Sequence, residues 1–486
     1  MFTATAFRSI LPEILILSLG MILLVVEPFW GQNRRRYLGG LTAGGLLLAM
    51  AATLLWGLPG EPTSTFGTTI RFDHLAVFFK LIFVLGAAAT SVMLMDHEPA
   101  GRRGEAYLLL LASTIGMCLM ASAGDLVMLY LAIEATSIPL YVLAGFTLAD
   151  DRSTEAGFKY LLYGAMTSAV MLYGFSLLYG FGGTTDLYAL SIALQSPDLP
   201  RVAIIAVMLM IVVGLGFKVS IVPLHFWAPD VYEGAPTPVA GFLSTASKGA
   251  GFAVLARLFL IAFPATGTGI FVEWTTVLAV LSAVTMTVGN LLALPQRNLK
   301  RLLAYSSIAH AGYVLIGVVA ASRLGVASVL YYMLAYLVTN LAAFGVVMAV
   351  GWVAGSDEYD SYRGLSRRSP ALALAMLVAF LSLAGMPPFG GFIAKVLVFA
   401  AGMQSGYAWL VAIGIINSVI GVYYYLNVMK LVYLYRMEGH DEDQHPVKLP
   451  RAFAVTLAIL TTGIILVGTV FTPWFGYAAT AAGQLF

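Results

Sequence analysis

Long apolar runs separated by short polar gaps dominate this chain. Fourteen stretches are apolar and long enough to cross a hydrocarbon layer about 30 Å thick. They run roughly 10–30, 37–57, 73–95, 105–123, 126–148, 157–181, 202–227, 238–263, 273–294, 302–320, 325–353, 371–404, 407–435 and 450–472. Only Ala123-Gly124-Asp125 separates the fourth from the fifth. The pattern predicts an all-α polytopic membrane protein with about 14 transmembrane helices. The first run, Ile10 to Trp30, exceeds a signal-peptide core, lacks a small-residue cleavage site and is followed by Arg34-Arg35-Arg36. It reads as a retained first helix with a positive stop.

A repeat is visible in the spacing. Spans 4–8 cover 105–263 and spans 9–13 cover 273–435, nearly equal lengths. Five helices per block would insert the second block upside down relative to the first. Residues 1–104 then form an N-terminal three-helix segment and 450–486 a C-terminal helix. The fourth helix of each block is interrupted, span 7 by Val222-Pro223-Leu224-His225 and span 12 from Gly385 through Pro387 and Pro388 to Gly391. Proline removes a backbone donor and breaks the helical ladder. Paired broken helices in two inverted five-helix repeats point to an ion path near the midplane.

Composition narrows the class. Of 486 residues, 60% are hydrophobic and 10% charged. The one cysteine, Cys118, excludes a disulfide, an iron–sulfur cluster or a cysteine-ligated zinc held by this chain alone. No G-x-G-x-x-G follows a strand, and no phosphate-binding G-x-x-x-x-G-K-[ST] occurs. A net charge of +2 carries no message about nucleic acid. Charge in the gaps predicts orientation. The N-terminus and even-numbered gaps hold four Lys/Arg; the odd-numbered gaps hold sixteen, including Arg301, Arg368 and Arg436. Both termini are therefore expected outside, in the periplasm of a Gram-negative cell.

Six cations remain inside the spans: Lys80, Lys218, Lys248, Arg257, Lys395 and Lys430. Charges at membrane depth are costly and tend to mark ion pathways. Lys430 lies near the inner end of its helix and can snorkel. Glu134 reads as the one carboxylate deep in a span, with Thr136, Ser137 and Pro139 beside it. Lys218 is its natural partner, one turn before the first break. A lysine in a low-dielectric site binds its proton with an affinity that a nearby carboxylate can switch. The bland alternative is a buried pair that only fixes packing. His225, two turns on, is either a proton relay or a histidine satisfied by the broken backbone. Lys248 sits ten residues into span 8, about 15 Å from its inner end. His310 lies in the polar segment AYSSIAHAGY, and Lys395 follows the second break. Lys218, Lys248, His310 and Lys395 could form one lateral line of titratable groups joined by water. Asp230, Tyr232 and Glu233 fall in the expected inner loop PDVYEGAPTP.

These segments resemble a known family. Residues 217–252, 289–313 (GNLLALPQRNLKRLLAYSSIAHAGY), 382–399 (SLAGMPPFGGFIAKVLVF), 155–174 and 423–433 are similar to subunit N of respiratory complex I, the proton-translocating NADH-quinone oxidoreductase. The DVYEGAPTPV loop differs from subunits M and L and from free-standing Mrp-type cation/proton antiporters, which share the architecture. Lys395 argues against subunit M, which has a glutamate at that place. The resemblance implies a coupling pair, Glu134 and Lys218, a central relay lysine, Lys248, and an exit-side lysine, Lys395. It implies membrane-arm partners of the K, M, L, J, A and H types in a bacterial inner membrane. NADH, FMN, iron–sulfur clusters and quinone would belong to other subunits, leaving no cofactor in this chain.

Overall fold

The computed structural model describes residues 3–98, 100–196, 199–263, 270–435 and 447–486. Arg436, counted above among the gap cations, lies outside the described residues. Helices account for nearly all of the architecture. They are α1 (Leu11–Val26), α2 (Leu38–Trp56), α3 (His74–Leu94), α4 (Gly104–Ser122), α5 (Leu126–Ala144), α6 (Asp151–Gly182), α7a (Arg201–Val219) and α7b (Trp227–Gly234). Then follow α8a (Thr237–Phe242), α8b (Lys248–Ala262), α9 (Ile270–Ala293), α10 (Leu299–Val319), α11 (Arg323–Ala354), α12a (Pro370–Ala384), α12b (Gly390–Gln404), α13 (Ala408–Tyr433), α14 (Arg451–Thr469) and α15 (Phe471–Gly483). Thirteen described helices are long and apolar enough to span a membrane, and α12a with α12b makes a fourteenth span in two shorter pieces.

Burial sorts these helices into an inner and an outer set. The apolar windows of span 8 (α8a to α8b), α10 and α11 are 94% buried, while those of α1, α6 and α14 are 33% buried. A helix that is apolar all round but buried on one side only presents the rest to lipid. The inner helices instead carry polar residues among protein neighbours. Ser306, Ser307 and His310 on α10, with Thr339 and Asn340 on α11, are all buried. Side-chain caps define several ends. Asp73 accepts from the Ala76 N–H at 2.8 Å, Asp125 from Met128 at 2.6 Å and Ser322 from Gly325 at 3.1 Å.

Both expected breaks are present, and the two close alike. Helix α7a ends where Ser220 takes φ +60°, and the Ile221 N–H reaches back to Gly216 O at 2.9 Å. Helix α12a ends where Gly385 takes φ +82°, and the Met386 N–H reaches Leu381 O at 2.9 Å. This left-handed closure satisfies carbonyls that a terminus leaves bare. Three local features depart from the sequence reading. The first break begins at Ser220, before the Val-Pro pair. The expected inner loop is helical over Trp227–Gly234, since Pro229 falls in the first turn, where no N–H partner is needed. Span 8 is not uniformly α-helical, because Leu243–Ser247 forms a π-helical segment immediately before Lys248. A small hairpin, β1 (Thr63–Thr65) with β2 (Ile70–Phe72), fills the connection before α3.

Two of the intramembrane cations have structural partners. Arg257 on α8b grips Asp73, the α3 cap, through two hydrogen bonds of 2.8 Å and donates to Ala121 O at 3.1 Å. Both side chains are almost fully buried, with Arg71 approaching Asp73 at 3.9 Å. Lys80 on α3 meets Glu13 on α1 at 2.6 Å and donates to Ser9 O at 2.8 Å. Glu134 is thus not alone: Glu13 is a second intramembrane carboxylate. Removing one partner of a buried pair leaves an uncompensated charge, costing about 3–5 kcal/mol. Arg257→Met is expected to lower stability by about that much. Arg257→Met with Asp73→Asn, which keeps a capping oxygen, is expected to recover most of it. Thermal unfolding of the purified protein measures both, and a double variant no more stable than the single would exclude the pair as the cause.

Candidate functional site

The predicted site residues lie along the buried middle of the bundle. On α5, Pro139 has no N–H to offer the Ala135 carbonyl, which loosens the helix around Ser137. Glu134, half-buried, accepts a hydrogen bond from Ser168 on α6. Lys218 on α7a is buried and donates to Ser137 Oγ at 2.9 Å. Ser137 itself donates to Ile133 O at 2.7 Å, so its lone pairs are left to face the ammonium. No ion pair joins Glu134 to Lys218 among the described residues. The two groups lie one helical turn apart through Ser137, each on its own hydroxyl.

Lys218 and Lys248 approach through packing. The Lys218 stem lies on Gly251, where an added Cβ would stand 3.2 Å from Lys218 Cγ. Gly251 is one turn from Lys248 on α8b. An aromatic cluster touches both lysines' surroundings. Trp227 stacks on Tyr160 at 4.4 Å and donates its indole N–H to Phe217 O at 3.1 Å, and Tyr232 crosses Trp227 at 6.0 Å. The Tyr232 ring in turn lies 5.8 Å from Lys248 Nζ. His225 is buried in the break, against Phe226, with no hydrogen bond to either lysine.

Beyond Lys248 the contacts become a chain. Lys248 donates to Ser307 Oγ on α10 at 2.6 Å. The neighbouring Ser306 pairs with Tyr425 OH on α13, and Tyr425 OH lies 3.4 Å from His310 Nε2. The other ring nitrogen of His310 meets Tyr332 OH on α11 at 2.6 Å. A cavity of about 10 Å³, the room one water needs, is lined by His310 together with Ser382, Leu383 and Gly391 at the second break. Lys395 closes the line. Its ammonium donates to Leu383 O and Ala384 O at 3.0 Å each and to Ser418 Oγ at 2.9 Å, over the Tyr313 ring at 5.0 Å. It thereby caps the negative end of α12a across the break. The sequence reading found the charged members and His310. It missed Ser168, Tyr332, Tyr425 and Ser418, whose only signal is polarity inside an apolar span.

At the cation-rich end, α7b is pinned by charge. Asp230 meets Arg301 at 2.8 Å and Lys159 at 2.6 Å; Glu233 meets Arg301 at 2.8 Å. Nearby, His97, in the turn after α3, borders a cavity of about 210 Å³ with Thr237 and Asp357. Burial, and then the charge of Lys300, holds its imidazole down to about 4, so it is neutral at ordinary pH.

Fold and site together define a multi-pass, antiporter-like membrane protein. The family described as NADH:quinone oxidoreductase/Mrp antiporter, TM, matches residues 123–421. A protein named NADH-quinone oxidoreductase subunit N from Heliobacterium modesticaldum is 45% identical over 88% of this chain and 89% of its own. One of the same name from Trichlorobacter lovleyi is 42% identical over 97% of this chain and 96% of its own. A chain in the structure of respiratory complex I from Thermus thermophilus with bound aureothin is 34% identical, with TM-score 0.80 over 97% of this chain and 99% of that one. The Mrp complex of Dietzia sp. contains a chain with TM-score 0.86, which at 20% identity is a likeness of fold alone, covering 99% of this chain and 98% of that one. The chain belongs to the NADH-quinone oxidoreductase subunit N family.

The second break depends on one close approach. A Cβ on Gly391 would lie 1.9 Å from Ser382 O, backbone against backbone, where the Gly391 N–H now donates to Ser382 Oγ at 3.1 Å. Gly391→Ala is therefore expected to push α12a from α12b and lower the thermal midpoint of the protein by several degrees. Gly476→Ala, with nothing within 4 Å of the added carbon, is the control and is expected to be neutral or slightly stabilising. Equal melting of the two variants would exclude a tight junction at the break.

Proposed function

We propose that this chain is the proton-translocating, membrane-arm subunit N of an NADH-quinone oxidoreductase. Glu134, Lys218, Lys248, His310 and Lys395 would form its relay. One observation carries the reading. Three buried lysines lie along one polar line, and none of them has a carboxylate within ion-pair distance among the described residues. A buried ammonium held by neutral groups is ready to give up its proton. The blocks 105–263 and 273–435 would be inverted repeats, in keeping with the like closures at Ser220 and Gly385. The excess of gap cations favours both termini on the periplasmic side of a bacterial inner membrane, with the other membrane-arm subunits alongside. NADH, FMN, iron–sulfur clusters and quinone are assigned to those other subunits.

Each stroke would begin with a charge displaced near Glu134 when quinone is reduced elsewhere. Glu134 then moves towards or away from Lys218. The lysine gains or loses proton affinity, and the proton passes by way of Lys248 and His310 to Lys395. Moving one charge through 100 mV requires about 2.3 kcal/mol. A change of two units in lysine affinity supplies about 2.7 kcal/mol, so one rearranged ion pair is of the right size. His225, unconnected to either lysine, is assigned to the break and not to the relay. A free-standing cation/proton antiporter is the alternative, and co-purification with redox subunits separates the two.

Lys218→Met and Lys248→Met are expected to abolish most NADH-driven proton pumping in complexes that assemble normally, measured by dye quenching in vesicles. Undiminished pumping in both would sink the relay. Glu134→Gln is expected to weaken pumping and quinone reduction together, pumping the more, so that fewer protons move per NADH oxidised. Lys395→Gln keeps N–H donors for the α12a carbonyls but no transferable proton. It is expected to retain thermal stability and lose pumping, whereas Lys395→Leu loses both. Full pumping by Lys395→Gln would assign Lys395 to helix capping alone.

A further inference from the structure

Both members of the coupling pair are occupied, and neither holds the other. The hydroxyls that hold them have the required polarity. Ser168, on α6, directs its O–H at the Glu134 carboxylate, which can only accept. Ser137, on α5, spends its own O–H on Ile133 O and offers a lone pair to the Lys218 ammonium, which can only donate. Each serine thus supplies what the opposite charge would otherwise supply.

The position of Ser168 is fixed by packing. Helices α5 and α6 approach so closely that a Cβ on Gly157 would lie 2.8 Å from Gly145 Cα. One turn from Ser168, a Cβ on Gly164 would lie 2.1 Å from the Tyr141 hydroxyl. Ser168 therefore cannot drift from α5. Ser137, by contrast, sits in the turn that Pro139 loosens. One hydroxyl is rigid and holds the anion; the other lies in deformable helix and holds the cation.

We infer that Ser168 and Ser137 are positioning residues that hold the Glu134–Lys218 pair open, Ser168 as the fixed latch on the carboxylate. The inference rests on the relay reading above and adds to it the groups that define the open position. In that position Glu134 makes no direct contact with the Lys218 ammonium, which rests on Ser137. When Glu134 leaves Ser168, it crosses one turn of α5 to the ammonium and the proton is retained. Hydrogen bonds to charged groups carry a free energy equivalent to about a tenfold to hundredfold change in an equilibrium. Loss of the Ser168 hydroxyl is expected to shift the open–closed equilibrium towards the closed pair by that factor.

The test uses assembled complex reconstituted in liposomes, with protons pumped per NADH oxidised as the readout. Ser168→Ala is expected to lower that ratio, up to about tenfold if opening limits the stroke. Ser168→Thr, which restores the hydroxyl, is expected to return it towards the original value. Ser168→Ala added to Glu134→Gln is expected to cause no further loss, because the latch has no carboxylate to hold. A normal ratio in Ser168→Ala, with pumping lost in Glu134→Gln, would overturn the latch and leave the relay standing. A normal ratio in Glu134→Gln itself would overturn both. Failure of Thr to rescue, or an additive loss in the double variant, would assign Ser168 to packing and overturn the latch.

Discussion

An ammonium in a low-dielectric interior has to be solvated by something, and the choice of solvating group decides what the lysine can do. A carboxylate fixes the charge; hydroxyls and carbonyls tolerate it and release it. This protein uses both solutions in separate places. Lys80 and Arg257 meet Glu13 and Asp73, buried carboxylates at helix starts. Lys218, Lys248 and Lys395 meet Ser137, Ser307, and two backbone carbonyls with Ser418. The first pair of cations clasps helices together. The other three have no carboxylate within ion-pair distance among the described residues, which is the ground for proposing them as a proton path.

The helix breaks belong to the same solution. Ending α12a in mid-bundle leaves carbonyls without donors, and in a dry interior they must find some. Closure through Met386 satisfies one of them, and Lys395 takes two more. The lysine is therefore stabilised by the dipole end of a helix, a fixed partial charge near half a unit and not a full one. The break thus supplies a buried ammonium with partners that carry no full opposite charge. At the first break the Phe217 carbonyl accepts from the Ser220 N–H and from the Trp227 indole, which does not titrate. Lys218 is left to Ser137.

The spans, the two breaks and the charged members of the line were legible in the sequence, because each alters hydropathy or removes a backbone donor at a definite position. Three other features were not. Residues 229–238 read as an inner loop, yet a proline in the first turn is no obstacle to the helix Trp227–Gly234. Glu13 was passed over, because pattern alone does not place it opposite Lys80. The serines and tyrosines between the charges were invisible as a set. Ser168 from α6, Tyr332 from α11 and Tyr425 from α13 meet only through tertiary packing, and a single hydroxyl in an apolar helix is usually spent on its own backbone.

The order of the polar line also follows from helix geometry. Ser306 and Ser307 are consecutive on α10, so their side chains point about 100° apart. One faces Lys248 on α8b, and the other faces Tyr425 on α13. A fully buried helix with two adjacent hydroxyls therefore presents one to each side of itself without breaking its own ladder, although no hydrogen bond joins Ser306 to Ser307 among the described residues. His310, one turn further on, meets Tyr425 and borders the water-sized cavity beside Leu383. Crossing the bundle at this depth needs such a helix, because loops are excluded where no water satisfies the backbone. Helix α10 thus stands within the polar line and turns one hydroxyl to Lys248 and the other to Tyr425.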